Sequence, residues 1–387
     1  MRILLIGYLY GISSERKLVE ELRMHLAWRW FTGLGFDEEI PHHSTFSKNR
    51  HGRFQESKLF EQVVAQCMAV GLVHGDKLSV DGTFVEANAC KESRIPRDQL
   101  AEAAQVNRTV REYLAELERQ NPVEEPTHNQ DKVSTTDPDS TYATKGGTPA
   151  RMGYYNNYLV DNHSCIVVGV QATGARLSEE SRAARDMIAR FAAWQGRKPA
   201  SIAADASYGN GEFLQWLVDR EITPYMPTRD AVGRTRSPFY GPERFTYQPD
   251  SNSYLCPAGQ QLNYGGRNEG NRAFAYIGTR KKCGPCPQRS QCTTGPFRYL
   301  AIHMNEAARQ RARDLWTTPE FEHAQRQRKK VEALFAELKC RIGLHRLRLR
   351  RLKFVQEQFF LAATAQNIKR LVRFLTGPTT SLVHATL

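Results

Sequence analysis

Two short stretches decide the fold: Lys77-Leu-Ser-Val-Asp81-Gly-Thr-Phe84 and Pro199-Ala-Ser-Ile-Ala-Ala-Asp205. Each is a brief apolar run carrying one carboxylate, and each reads as a strand. A carboxylate inside an apolar strand is costly to bury unless a cation or hydrogen-bond donors compensate it. Asp205 closes its strand just before the turn Ala206-Ser-Tyr-Gly-Asn-Gly211, and strand ends in α/β sheets are where ligand sites form. Together the two carboxylates suggest a divalent-ion site, because Mg²⁺ prefers oxygen ligands. For either Asp alone, capping a turn or a helix is the competing use.

Working outward, Gly153–Val160 and Cys165–Gln171 read as strands joined through Asp161-Asn162-His163. Ser178–Trp194 reads as an amphipathic helix, Glu212–Asp219 as a second, and Glu221–Met226 as a further strand. Strand, hairpin, helix, strand, helix, strand is the order of a mixed α/β sheet with helices on its faces. Residues 94–120 read as helical, and residues 121–150, with Pro122, Pro126, Pro138 and Pro149, as a long exposed loop or linker. Upstream, residues 1–65 read as short helices. Ser13 and Ser14 are placed to cap a helix from Glu15 to Trp28, with Leu18, Leu22, Leu26 and Trp30 on one face. Residues 228–300, rich in Gly, Pro, Tyr and Cys, suggest a β-rich insertion, and helices dominate from Asn305 to Leu375. The expected division is a helical segment over 1–70, compatible with DNA binding or with a plain helical cap, and an α/β core over 75–227 with an excursion at 90–150. An insertion over 228–303 follows, and the core resumes over 304–376. The chain reads as starting abruptly inside its first helix, so a missing upstream segment is expected.

A third carboxylate lies in Arg326-Gln-Arg-Lys-Lys-Val-Glu332-Ala-Leu-Phe-Ala-Glu-Leu-Lys339. Val331, Leu334, Phe335 and Leu338 fall at the i, i+3, i+4, i+7 spacing of a core-facing helix. Glu332 sits beside that stripe, and Arg328 and Lys339 fall on roughly its side. A carboxylate framed by two cations suits a metal held next to a phosphate backbone; exposed ion pairing along a helix is the alternative.

The net charge of +13 points to a polyanionic partner, with nucleic acid favoured over an anionic membrane surface. The apolar run at the start is too short to span a bilayer and lacks a cleavage site, so a cytoplasmic protein with no membrane association is expected. Between Arg326 and Lys353, Arg346, Arg348, Arg350, Arg351 and Lys353 interleave with Leu344, Leu347, Leu349 and Leu352, so that one side packs while the other faces phosphates. Sequence-specific contacts would come from the N-terminal helices, through Lys48 and Arg50.

Taken together, these features resemble the bacterial insertion-sequence DDE transposases. Arg328-x3-Glu332-x6-Lys339 matches the latter part of their Y-x2-R-x3-E-x6-K signature, with Gln325 standing where the Tyr falls. The same likeness takes in an N-terminal segment of the InsH type, Val-Asp81-Gly-Thr-Phe and Ala-Asp205-Ala-Ser-Tyr-Gly. It extends to Thr136-Asp-Pro-Asp-Ser140, Gly343-Leu344 and Ala365-Gln-Asn-Ile-Lys-Arg370. The resemblance implies an RNase H-like core in which Asp81, Asp205 and Glu332 bind two Mg²⁺ or Mn²⁺ ions. It also implies double-stranded DNA partners (element ends and target), a homodimer when DNA-bound, and a place on the bacterial nucleoid. Arg328 and Lys339 would contact phosphates. A catalytically decayed zinc-containing DNA-binding protein, or an RNase H-like nuclease that cuts without joining, are the competing functions.

Cys256, Cys283, Cys286 and Cys292 cluster in the insertion. The Cys283-Gly-Pro-Cys286 turn brings two sulfurs together, and a structural Zn²⁺ held by the four thiols is expected. A redox-active CxxC is the alternative, without the βαβ setting such sites use.

Overall fold

A computed structural model of the chain describes residues 1–50, 58–120, 132–144, 148–175, 177–228 and 238–377. They fall into two units: Met1–Ile202 with Arg326–Leu387, and Ala203–Gln325.

The first unit is built on a sheet whose central strand β1 (Lys77–Glu86) is buried on both faces, Leu78, Val80 and Val85 being inaccessible to solvent. Such strands read as near-continuous apolar runs, which is why Lys77–Phe84 was legible. A small pair, β2 (Arg94–Pro96) and β3 (Lys132–Ser134), forms a separate antiparallel ladder. The main sheet continues with β4 (Thr141–Ala143), β5 (Arg151–Asp161), β6 (Val167–Gly174) and β7 (Ser201–Ala203). β5 runs antiparallel to β1, with Asp81 opposite Tyr158; β4 and β6 share its other edge, and β7 lies beside β1. This is the expected mixed α/β, RNase H-like arrangement. The hairpin turn between β5 and β6 is organised by Asp161, which is inaccessible to solvent. Its Oδ1 accepts from His163 N, Ser164 N and Ser164 Oγ, and its Oδ2 from His74 N and Gly75 N.

β6 is an edge strand, and the last helix (Leu352–Thr376) closes it with side-chain amides. Asn367 Nδ2 donates to Val167 O (2.8 Å) while its Oδ1 accepts from Val167 N (2.9 Å). Three turns earlier, Gln356 makes the same pair of contacts with Ala172 N and Val170 O. The ladder shifts register at Leu159/Val160, leaving the Val167 backbone to be satisfied by a side chain, and an unpaired buried amide would cost about 1–3 kcal/mol. Gln366, also inaccessible, joins Tyr158 Oη on β5 to Leu334 O. The Ala365-Gln-Asn stretch is thus polar because it finishes a sheet edge.

Three expectations are corrected. The helix foreseen from Glu15 to Trp28 is broken at His25, whose extended backbone separates helices Glu15–Met24 and Leu26–Thr32. Leu18 and Leu22 are buried as foreseen, but the break turns Leu26 and Trp30 to solvent (60% and 83% exposed), and Trp28 packs inward instead, under the His25 ring. Part of the supposed loop over 121–150 is ordered: β3, β4 and Asp137 between them belong to the fold, while 121–131 lie outside the described residues. Finally, Leu344–Arg351 is not a helix face. His345 and Leu347 bond through their backbones to Glu86 at the end of β1; Leu344 and Leu347 are buried, and Arg351 is 9% exposed rather than turned to solvent.

Arg351 explains the Thr136-Asp-Pro-Asp-Ser motif. Its N–H donates to Asp137 Oδ1 (2.8 Å), and its Nε and the N–H of Leu352 donate to Asp139 Oδ2 (2.8 and 2.9 Å), fixing the start of the last helix. The carboxylates lie at a helix N-terminus, where negative charge is favoured. Asp137 also accepts from Tyr154 Oη (2.7 Å), but burial outweighs these bonds and lifts its carboxyl from 3.8 to about 6. That rise corresponds to roughly 3 kcal/mol against the ionised form. Between about pH 4 and pH 6 the folded chain holds a proton that the unfolded chain has released, so stability falls as pH rises through that window. Asp137→Asn keeps an acceptor without the charge. Thermal melts should show it gaining on the wild type from pH 4.5 to pH 7.5; parallel pH profiles would refute the account.

Candidate functional site

In the first unit, Asp81 and Glu332 face one guanidinium. Asp81 sits mid-strand in β1, where its Oδ1 accepts from Gly82 N at 2.8 Å. Glu332 is carried by the helix Pro319–Ala336, whose stripe Val331, Leu334, Phe335 is buried as the spacing predicted, and Leu338 continues it. Arg328, one turn before Glu332, places Nη1 3.0 Å from Asp81 Oδ2 and Nη2 3.7 Å from Glu332 Oε1. The Asp81 and Arg328 side chains are 13% and 15% exposed and Glu332 is 62% exposed, so the first pair is partly desolvated and the second is largely screened. The two carboxylates thus share one cation. The helix does not continue unchanged to Lys339: Glu337–Arg341 form a π-helical turn, which shifts the register on which the two-turn offset from Glu332 relied.

In the second unit, Asp205 follows Ala204, whose N–H donates to Tyr225 O in β8 (Thr223–Tyr225). Asp205 Oδ1 accepts from Ser207 N (2.8 Å) and Ser207 Oγ (2.5 Å), a turn-forming role that sequence reading held open as the alternative. The Asp-x-Ser spacing was the signal for it. Gly209 in the same turn is obligatory, because a Cβ there would lie 1.9 Å from Pro227 O. Gln325 Nε2 donates to both Ala204 O (3.0 Å) and Tyr225 O (2.6 Å), contacts that the signature comparison did not foresee.

Residues 246–303 carry a five-stranded antiparallel sheet in the order β13-β12-β11-β10-β9 (Tyr299–His303, Ala273–Ile277, Gln261–Asn268, Ser253–Leu255 and Thr246–Gln248). Cys256, Cys283, Cys286 and Cys292 line one cavity of about 20 Å³. Cys256 lies in a turn closed by Gly259 N→Cys256 O and Cys256 N→Gln260 O, and its sulfur accepts from Gln260 N at 3.3 Å. Burial raises the Cys292 thiol above its ordinary value, Arg298 opposes this, and the other three thiols add to it, as expected of sulfurs drawn together. The donor set suits Zn²⁺. Among the described residues no three His, Cys, Asp or Glu side chains stand at metal-ligating distances as one group.

Of the expected DNA contacts, Arg346 and Arg350 are exposed. Arg346 lies 3.9 Å from Glu86, and Arg350 Nε donates to Asn88 O. Arg348 is half-buried, its guanidinium over the Tyr8 ring at 5.3 Å. Lys48 and Arg50 fall in the helix His43–Arg50, but their side chains lie outside the described residues. Among the described residues no helix is long and apolar enough to cross a membrane.

Residues 1–52 match the family model described as Transposase domain (DUF772), and residues 255–372 match the one described as Transposase DDE domain. The two matches indicate an insertion-sequence DDE transposase. No curated protein matches the chain. A DDE domain implies a polynucleotidyl transferase-type enzyme, a transposase implies DNA binding, and the family typically uses divalent metals. The DDE match takes in Glu332 and the four clustered cysteines; Asp81 and Asp205 lie outside the matched residues.

The Asp81–Arg328 pair predicts measurable coupling in this transposase. In a double-mutant cycle of Asp81→Ala and Arg328→Ala followed by chemical unfolding, the coupling energy should be on the order of 1 kcal/mol or more. Additive losses would show that the contact contributes nothing to stability.

Proposed function

We propose that this transposase cuts and joins DNA at the ends of its own element, using Asp81, Asp205 and Glu332 to hold two Mg²⁺ or Mn²⁺ ions. The observation that carries the reading is the single guanidinium shared by Asp81 and Glu332 on elements of the expected fold. When bound, the ions activate the attacking oxygen and neutralise the leaving one. The protein's own contribution is positioning and charge. In the first step a water oxygen bonds to phosphorus, the P–O3′ bond breaks, and the element end leaves as a 3′-OH. In the second, that 3′ oxygen attacks a target phosphodiester, loses its proton, and releases a target 3′-OH. With Asp81 engaged in holding an ion, Arg328 would bear on the phosphate charge, and Lys339 would supply a second cation on the same chain segment.

Residues 1–70 act as the DNA-reading module through Lys48 and Arg50, and Arg346, Arg348 and Arg350 add phosphate contacts that give affinity rather than specificity. The core comprises 75–227 and 304–376, with 228–303 inserted as a Zn²⁺-stabilised sheet. A homodimer holds paired ends, and the reaction takes place on the bacterial chromosome in the cytoplasm.

Asp81→Ala, Asp205→Ala and Glu332→Ala should each abolish strand cleavage while leaving DNA affinity within about twofold, since carboxylates do not attract phosphates. The substrate is a plasmid carrying the gene with its flanking DNA. Cleavage persisting in all three variants would sink the triad. A pre-cut donor end that is never joined to target would leave a nuclease instead.

For the insertion, protein purified without chelator should contain about one zinc per chain, and Cys283→Ser should lower both zinc content and the thermal midpoint. Zinc-free protein with an unchanged midpoint would remove this site.

A further inference from the structure

The amide of Gln325 sits at a junction that sets the path of the chain into Asp205. Ala204 is the last residue before the carboxylate, and Tyr225 ends β8; at such strand ends carbonyl oxygens need donors from elsewhere. Gln325 Nε2 supplies both, reaching Ala204 O at 3.0 Å and Tyr225 O at 2.6 Å. Tyr225 O also accepts from Ala204 N at 3.3 Å, so the three groups bond to one another. One helical turn earlier, Phe321 lies edge-on to Tyr225, with ring centroids 6.4 Å apart at 74°. The start of this helix therefore grips β8 by a ring and an amide together.

The Ala204 carbonyl lies in the same rigid peptide plane as the Asp205 N–H. Fixing that oxygen fixes the orientation with which the chain enters Asp205, while the Asp205 side chain is held by its own turn through Ser207. A two-donor amide fits the task. A phenol, the residue the family signature places here, offers one donor on a longer, rigid arm.

We infer that Gln325 is a positioning residue for Asp205, bracing the backbone that presents the carboxylate to a divalent ion rather than contacting DNA phosphate. This rests on the proposed role of Asp205 in metal binding. Loss of a group that orients a metal ligand typically costs about 10–100-fold in metal affinity or activity.

The test uses the full chain with Gln325→Met, which keeps length and packing but removes both donors, and Gln325→Tyr, which restores the signature residue. Nicking of a supercoiled plasmid bearing the gene and its flanks is titrated with Mn²⁺. For Gln325→Met the half-maximal Mn²⁺ concentration should rise about tenfold, with partial recovery at saturating Mn²⁺ and unchanged plasmid affinity. Gln325→Tyr should behave like Gln325→Met. Amide hydrogen exchange at residues 204–207 should quicken in both variants, whether or not the wild type nicks the plasmid. An unchanged Mn²⁺ midpoint, or unchanged exchange, overturns the inference. So does weakened plasmid binding that Tyr restores, which would make position 325 a phosphate contact. A wild type that never nicks would instead count against the proposed activity, and the exchange measurement would still decide the brace.

Discussion

The first unit depends on how one sheet edge is finished. β6 has a partner on one side only, and exposed edge backbone invites pairing with another chain or leaves amides unsatisfied. The last helix resolves this with Gln356 and Asn367, eleven residues apart and so on one face, each presenting an amide to β6 as a further strand would. Gln366 extends the same set of bonds to Tyr158 and Leu334, linking the sheet to the helix that carries Glu332. Because Arg326–Leu387 rejoins Met1–Ile202 only after the whole second unit has intervened, this edge is finished by the most distant part of the chain. Such long-range closure slows folding. It also means that damage at the last helix reaches the Glu332 helix through bonds that can be named.

Within that frame Arg328 has two roles that compete. Its pairing with Asp81 compensates a carboxylate only 13% exposed, which would otherwise be costly to hold in a strand. Its 3.7 Å approach to Glu332, 62% exposed, adds little by itself. On the proposed reading, a divalent ion held by these carboxylates would replace the guanidinium as counter-charge and free it for an anion. Arginine suits this exchange, since it stays charged throughout and its fork addresses carboxylate and phosphate alike. The same residue would then serve the fold without substrate and the phosphate with it.

Where sequence was legible, one physical pattern dominated the local environment. β1 showed as an apolar run because it is buried on both faces, and the Glu332 helix showed as a stripe because only one face packs. The misreadings occurred where a single backbone choice overrode a pattern. His25 adopts an extended conformation inside an otherwise helical stretch, and everything beyond it rotates. Leu344–Arg351 alternates Leu and Arg, which suits a helix face or an extended segment equally; the bridge to Glu86 decides it, and no local signal announces a partner so far away. The residues 132–144 look like linker because their carboxylates and hydroxyls are polar, yet Asp137 and Asp139 are spent on the start of a helix more than two hundred residues later. For the candidate site, the residue types were legible but not the bonds between them: Asp81 with Arg328, and Gln325 with Ala204.

The second unit presents the opposite problem, a sheet with too little behind it. The buried cluster of the insertion is Phe245, Leu262, Tyr276, Leu300 and Ile302, with Cys256 and Cys292 packed against it. This is a small cluster for a five-stranded sheet, and small domains often take a staple. The tyrosines supply part of it: Tyr247, Tyr254 and Tyr264 surround Tyr276, and the hydroxyls of Tyr247 and Tyr276 both donate to Asn252 Oδ1. The four thiols line a cavity of about 20 Å³, and Cys256 and Cys292 pack against that cluster. Burial, opposed by Arg298 and reinforced by the other three thiols, raises the Cys292 thiol; on the proposed reading, metal binding would release protons, and its affinity would weaken as pH falls. On the proposed reading the cysteine turn would complete a core rather than form a redox centre, and Cys256 and Cys292 already pack against the hydrophobic cluster.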